Sequence, residues 1–352
     1  MKTSVSTPSA LSTLLRVSSL LLLSALGCHH ASAQTSVVLY GLLDQGVVKS
    51  NYRDVGQTPV QGTNTGLKRD YQMMDNSSRW GLRAKEDLGN GLYAGISLEA
   101  GVNLYNGTSG QDGRLFGRDA EIKLGNQYGE LYMGYALSPA GLQLLLAADP
   151  WYWDGNQAGM GWTIQQAHYT QTTYLRTANT VGFRSANWGG LTVQMAYAMA
   201  DETNTGGKSK DVGAAVTYRS GPMFIGAGYD RSHGYDNAPD SNYKWDVVGG
   251  YDFGVVKPSF SYTRSLVNNV RYNSTVLAAT APLGAAGLLK AAVARLSDCA
   301  CVPGTEARLM RYSLGYQYNL SKRTNVYSNI SQSKARTLDA ANTFELGMAT
   351  AF

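Results

Sequence analysis

Residues 76–99, NSSRWGLRAKEDLGNGLYAGISLE, read as two long strands joined by a Gly89-Asn90-Gly91 turn. Trp80, Leu82 and Ala84 alternate with Arg79, Gly81, Arg83 and Lys85; beyond the turn Leu92, Ala94, Ile96 and Leu98 alternate with Tyr93, Gly95, Ser97 and Glu99. Successive strand side chains point to opposite faces, so the hairpin has one apolar face and one carrying Arg, Lys and Glu. A soluble sandwich would bury the apolar face in a core. A membrane barrel would turn it to lipid and the charges to a wet lumen. The hairpin alone fits both.

Composition narrows the field. The chain has 352 residues, of which 40 are Gly, 23 Tyr and 9 Pro, and only 16% are charged, a balance that suits many strands and tight turns. No 18-residue apolar run occurs after residue 33, so no helix is expected to span a membrane. Barrel strands escape that test, because only every other residue meets lipid.

Residues 1–33 form a separate unit with the pattern of a secretory signal peptide. Lys2 and Arg16 precede the apolar run 20–26, and Ala31-Ser32-Ala33 supplies a small-residue cleavage site before Gln34. Cys28 offers the alternative of a lipoprotein cysteine, although Ala25 stands where a Leu is expected. Removing Lys2 and Arg16 takes the formal charge from +5 to +3, too little to argue for a nucleic-acid partner. The mature thiols, Cys299 and Cys301, are separated by one residue; a bridge there would be strained, and no His or Cys nearby completes a metal site.

Alternation and turn signals predict sixteen strands, at 37–49, 74–87, 91–104, 114–125, 129–138, 176–187, 190–201, 210–220, 223–232, 242–253, 255–266, 270–281, 285–297, 307–319, 324–334 and 341–352. An even count puts both ends of a barrel wall on the same side. Short connections (88–91, 125–129, 187–190, 220–222, 253–254, 281–284, 320–324) alternate with generally longer polar ones (51–70, 105–113, 201–210, 232–241). Tight turns at one end and long loops at the other describe an up-and-down membrane barrel, whereas a Greek-key sandwich scatters its crossovers.

The connection 138–175 is far longer than usual, and such loops commonly carry function. It begins with helical composition, ended by Asp149-Pro150, and continues into Trp151, Tyr152, Trp153 and later Trp162. These aromatics would be costly in water, so the loop is expected to fold back into the barrel mouth; packing against a neighbouring subunit is the alternative. The last strand places Phe344, Leu346, Met348, Thr350 and Phe352 on one face, and Glu345, Gly347, Ala349 and Ala351 on the other.

Several stretches, in order, resemble the general-diffusion porins of Gram-negative outer membranes, in their beta-proteobacterial branch. They are residues 36–44 (SVVLYGLLD), 78–82 (SRWGL), 86–92 (EDLGNGL), 128–134 (YGELYMG), 318–324 (YNLSKRT) and the terminal Phe352. The resemblance implies an all-β fold: a 16-stranded antiparallel transmembrane barrel over 34–352, set among outer-membrane lipids and lipopolysaccharide. It also implies a homotrimer, a third loop folded inward as a constriction, and passive diffusion of ions and small hydrophilic solutes, with no cofactor. The third loop here departs from the family in its wealth of Trp and Gly, and it carries only Asp149 and Asp154 as acids.

Alternation assigns Arg79, Arg83, Lys85, Glu99, Asp119, Glu121, Lys123, Arg176 and Arg184 to the lumen, because Arg or Lys facing lipid at mid-bilayer would cost roughly 2–4 kcal/mol. Arg79, Arg83 and Arg184 are the expected basic wall; Asp154 and Glu121 are the acidic candidates, and the constriction set is Asp149, Trp151, Trp153 and Asp154. Basic residues leading on the early strands point to weak anion preference, unless many of them pair off as salt bridges that only stiffen the wall. His168 and His233 fall in predicted loops without a nucleophile or ligand set, which argues against an enzyme. A monomeric outer-membrane enzyme or adhesin, and an exported soluble sandwich, are the competing readings.

Overall fold

The computed structural model describes residues 36–50, 71–141, 147–152, 176–199, 210–233, 242–267, 270–299, 307–335 and 340–352. The expected signal segment, Trp153, Asp154, Trp162, His168 and Cys301 lie outside these residues.

In chain order the β-segments are β1 (Ser36–Ser50), β2 (Tyr71–Asp75), β3 (Arg79–Gly89), β4 (Leu92–Asn103), β5 (Thr108–Ser109) and β6 (Asp119–Asn126). They continue with β7 (Gly129–Leu137), β8 (Arg176–Ser185), β9 (Leu191–Ala198), β10 (Lys210–Ser220), β11 (Met223–His233) and β12 (Asn242–Tyr251). The last six are β13 (Lys257–Val267), β14 (Val270–Leu283), β15 (Gly287–Cys299), β16 (Ala307–Asn319), β17 (Thr324–Ala335) and β18 (Ala341–Ala351). All pairings are antiparallel, and β1 closes the sheet by pairing with β18 from Leu42↔Ala351 to Ser50↔Thr343.

β2 and β3 are one wall strand with an interruption, and β5 is a short ribbon on β4, so the described residues form a 16-stranded closed barrel. The predicted second strand is broken at 76–78, where Ser77 takes φ 64° and the register on β1 slips from Gln45↔Asp75 to Leu42↔Arg79. The predicted fourth strand starts late, at Asp119, because a turn and a bend occupy residues 115–118 after the 3₁₀ turn Gln111–Gly113. The turn at 89–91 uses three successive positive φ angles (85°, 53° and 77°), which Gly and Asn adopt with little strain.

Burial along each strand follows the two-residue period with its polarity reversed from that of a soluble core. Glu121 is 4% exposed beside Ile122 at 56%, Ser313 3% beside Leu314 at 56%, and Glu345 0% beside Leu346 at 50%. An apolar outer face of this kind belongs in lipid. The inner face is not polar throughout. Phe224, Val248, Val276, Ala278, Ala292 and Ala294, on β11, β12, β14 and β15, form an apolar patch that packs with Ala148 and Trp151. On β14 and β15 both faces are apolar over part of the strand, so alternation does not mark this patch.

Candidate functional site

The inner wall is built on a repeated arrangement of tyrosine and glycine. The Tyr40 ring on β1 lies across Gly81 of β3, and its hydroxyl donates to Glu99 Oε2 on β4 at 2.9 Å. Tyr93 on β4 crosses Gly125 of β6 and donates to Glu130 Oε2 on β7 at 3.0 Å. Tyr132 on β7 crosses Gly182 of β8 and accepts from Gln194 Nε2 on β9 at 3.3 Å. Tyr327 on β17 crosses Gly347 of β18 and donates to Asp44 Oδ1 on β1 at 2.6 Å, bridging the barrel seam. A Cβ added at any of these four glycines would fall 2.2 to 2.6 Å from the ring. The missing side chain is what lets each tyrosine span two strands.

Three of these rings carry a cation. The Arg83 guanidinium sits 4.3 Å above Tyr40, Lys85 Nζ 3.9 Å above Tyr93, and the Arg184 guanidinium 3.7 Å above Tyr132. A cation over a ring face is attracted by its quadrupole.

The charges then divide into two kinds. Arg184 holds Glu121 through both guanidinium ends, at 2.5 and 2.8 Å, and reaches Glu130 at 3.3 Å; Lys123 lies 3.1 Å from the same Glu121. Glu99 is bound by Arg118 Nε at 2.7 Å, and Asp119 accepts from Ser97 Oγ at 2.5 Å. Arg79 donates to the Ser77 carbonyl at 3.0 Å and is within electrostatic reach of Glu99. These groups are locked together. Arg83 and Lys85, by contrast, are exposed, and among the described residues no carboxylate stands at ion-pair distance from either.

Arg176 stands apart from its expected neighbours. Between Gly134↔Thr180 and Ala136↔Thr177 one extra residue enters β8, with Asn179 at φ 52°, so Arg176 falls out of phase with Arg184 and pairs across from Leu137. Its Nε donates to the Arg118 carbonyl at 2.7 Å. Plain alternation could not foresee this bulge. It could have found Glu130, which shares the strand phase of Tyr132. Arg118 lies inside the predicted strand 114–125, but alternation puts it out of phase with Asp119, Glu121 and Lys123; in the structure it stands one residue before β6, where the alternation does not apply.

A second polar group lies around the seam. Asn76 Nδ2 donates to Tyr327 Oη and, at 2.8 Å, to Glu345 Oε1, and Asn329 Nδ2 donates to Glu345 Oε2 at 3.0 Å. The Trp151 indole N–H donates to Asn329 Oδ1 at 2.9 Å, while Asp149 Oδ1 caps the Trp151 amide at 3.0 Å. Lys290 and Arg311 lie within electrostatic reach of Asp149. On β11 and β12, Asp230 takes Lys244 at 3.4 Å and Ser138 Oγ at 2.6 Å, pinning the chain where it leaves β7. Of the expected constriction residues, Asp149 and Trp151 are therefore buried among partners, and Trp153 and Asp154 lie outside the described residues.

A family model described as Gram-negative porin matches residues 19–338. Among curated proteins, the chain is 29% identical to an outer membrane porin protein of Bordetella pertussis, over 86% of this chain and 90% of that one. It is also 29% identical to outer membrane porin protein 32 of Delftia acidovorans, over 85% and 84%. Among solved structures, an anion-selective porin from Comamonas acidovorans superposes with a TM-score of 0.75 at 25% identity, covering 91% of this chain and all of that one.

Proposed function

Because the chain belongs to the Gram-negative porin family and is an outer-membrane β-barrel, we propose that it forms a water-filled channel for passive diffusion of ions and small hydrophilic solutes, with weak anion preference. The observation that carries the reading is the inverted barrel, with apolar residues outside and charged and hydroxyl residues inside. The proposed action is physical rather than catalytic: polar walls keep water continuous, and unneutralised fixed charge biases which ion enters. In this reading Arg83 and Lys85 supply that charge, while Arg79 and Arg184 are held among neighbouring groups and mainly brace the wall. The anion selectivity named for the Comamonas protein agrees with this assignment.

The third loop belongs in the lumen on the same reading. Support comes from Trp151, which packs against inward residues of β11, β12, β14 and β15 and bonds Asn329 on β17. A homotrimer is also proposed. On the outer face of β16, β17, β18 and β1, Gln332 donates to Asn342 at 2.7 Å beside a groove of about 750 Å³ that includes Lys49, Tyr312, Ile330 and Phe344. Amide groups on that face favour a protein neighbour over acyl chains.

Planar-bilayer recording tests the channel. Stepwise conductance is expected, with a salt-gradient reversal potential of anion-preferring sign that moves toward neutrality in Arg83→Gln/Lys85→Gln. Absence of conductance would reject the channel, and an unchanged reversal potential would reject the two residues as its selectivity charge.

A further inference from the structure

Two carboxylates face inward from neighbouring strands, and the fold treats them differently. Asp230 on β11 accepts Ser138 Oγ at 2.6 Å, the Ala140 amide at 3.2 Å and Lys244 Nζ at 3.4 Å. Asp246 on β12 is 1% exposed, and neither of its oxygens has a hydrogen-bond partner among the described residues. It lies on the inward face of its strand, two residues from Lys244 and two from Val248, both of them buried as well. Lys244 makes its ion pair with Asp230, so two carboxylates and one ammonium leave a net charge of −1, and that charge falls on Asp246. A lone buried carboxylate is costly, and proteins relieve it with a donor, a proton or a cation.

Register shows what stands beside it. Asp246 is opposite Gly228 on β11 and Thr263 on β13. Gly228 brings no side chain toward the carboxylate. Thr263 is 0% exposed, and its Oγ1 also has no hydrogen-bond partner among the described residues. Directly opposed residues of an antiparallel pair have Cβ atoms about 4.5–5.5 Å apart, so the carboxylate and the hydroxyl can close on one small species between them. The two groups face each other without bonding each other, and their lone pairs converge on a third body. Ser261 and Ser265 flank Thr263 on the inward face of β13, and among the described residues Lys244 is the cation within electrostatic reach of Asp246.

We propose that Asp246 and Thr263 hold an alkali-metal cation, with sodium as the ion to test, against the inner wall of β12 and β13. The site follows from the fold and does not depend on the channel reading. Its donors are all oxygens, which suit a hard cation. A single positive charge matches the net charge of the Asp230, Lys244 and Asp246 group. Calcium is a poorer occupant, because it takes roughly six to eight oxygen ligands, more than one carboxylate and one hydroxyl supply. No group of three Asp, Glu, His or Cys side chains gathers among the described residues to hold a transition metal. A cation there neutralises the buried carboxylate beside Lys244 and Asp230, the pair that pins the start of the third loop.

Sodium-23 NMR of the full-length protein in a non-ionic detergent tests this, with sodium chloride as the probe. The parent is expected to broaden the sodium line, Asp246→Asn to lose the excess broadening and Thr263→Val to reduce it. Glu86→Gln, which removes an exposed acid near the turn after β3, should broaden the line as the parent does. A cation bound to the folded state raises its stability. The parent's unfolding temperature on a heat-modifiability gel should therefore drop when choline chloride replaces sodium chloride at equal ionic strength, and that of Asp246→Asn should not respond. Equal broadening by parent and Asp246→Asn, or a parental unfolding temperature that is the same in both salts, would overturn the proposal. A carboxyl that stays protonated, or that holds only water, gives those results. The salt comparison on the parent needs no variant, so it decides the matter even where Asp246→Asn fails to fold.

Discussion

Arg184 and Arg83 show how two arginines of the same strand phase come to different roles. Arg184 faces Glu121, a carboxylate only 4% exposed, so replacing it by Gln strands a buried charge with Lys123 as its remaining cation. Breaking one partner of a buried pair typically costs about 3 kcal/mol or more. A clear drop in the urea midpoint of Arg184→Gln refolded into vesicles is the expected outcome. Arg83→Gln loses a stacking contact at an exposed site, worth roughly 0.5–1 kcal/mol, and its effect should fall on ion preference instead. The glycines beneath the tyrosines are equally specific: Gly182→Val would drive a branched side chain into the Tyr132 ring, with an expected cost of about 1–3 kcal/mol. A heat-modifiability gel, in which the unfolding temperature is read band by band, measures it; an unchanged temperature would show that Tyr132 swings aside freely.

At the scale of the element, the segment 147–152 is held by one large side chain. Trp151 is 4% exposed, packs on small residues of β14 and β15, and hydrogen-bonds β17. Removing a buried Trp costs about 3–5 kcal/mol of packing, here drawn from the loop's anchorage rather than from the wall. Trp151→Ala should therefore leave the barrel folded and raise single-channel conductance. Conductance at the parental level would show that the segment does not set the narrow part of the channel. In the sequence Trp151 stands out as one of several aromatics in a long connection. The surface it packs on does not stand out, because Val276, Ala278 and Ala292 alternate with Leu277, Ala279, Ala291 and Val293, which are just as apolar.

The whole molecule depends on closing one sheet on itself. Gly41 and Phe352 exchange backbone hydrogen bonds at 3.1 Å, and the Phe352 ring lies over Gly41 where a Cβ would stand 2.3 Å away. Tyr327 reaches across the same seam to Asp44. Leu346, midway along β18 and half-exposed on the outer face, is the position to test orientation. Leu346→Arg should lower folding free energy into vesicles by about 2–4 kcal/mol, the cost of a guanidinium at mid-bilayer. Arg accepted there at no cost would mean that this face does not meet lipid.

Local pattern was enough to determine the strands, their number, the ends carrying the long connections, and which face of β3, β4, β16 and β18 is apolar. These follow from a two-residue period and from turn residues, and both are written in neighbouring positions. Only the tertiary structure decided which charges neutralise one another, where Ser77 and Asn179 shift the register, and what Trp151 rests on. Each of those depends on residues tens or hundreds of positions apart, as with Tyr327 and Asp44, brought together when the last strand pairs with the first.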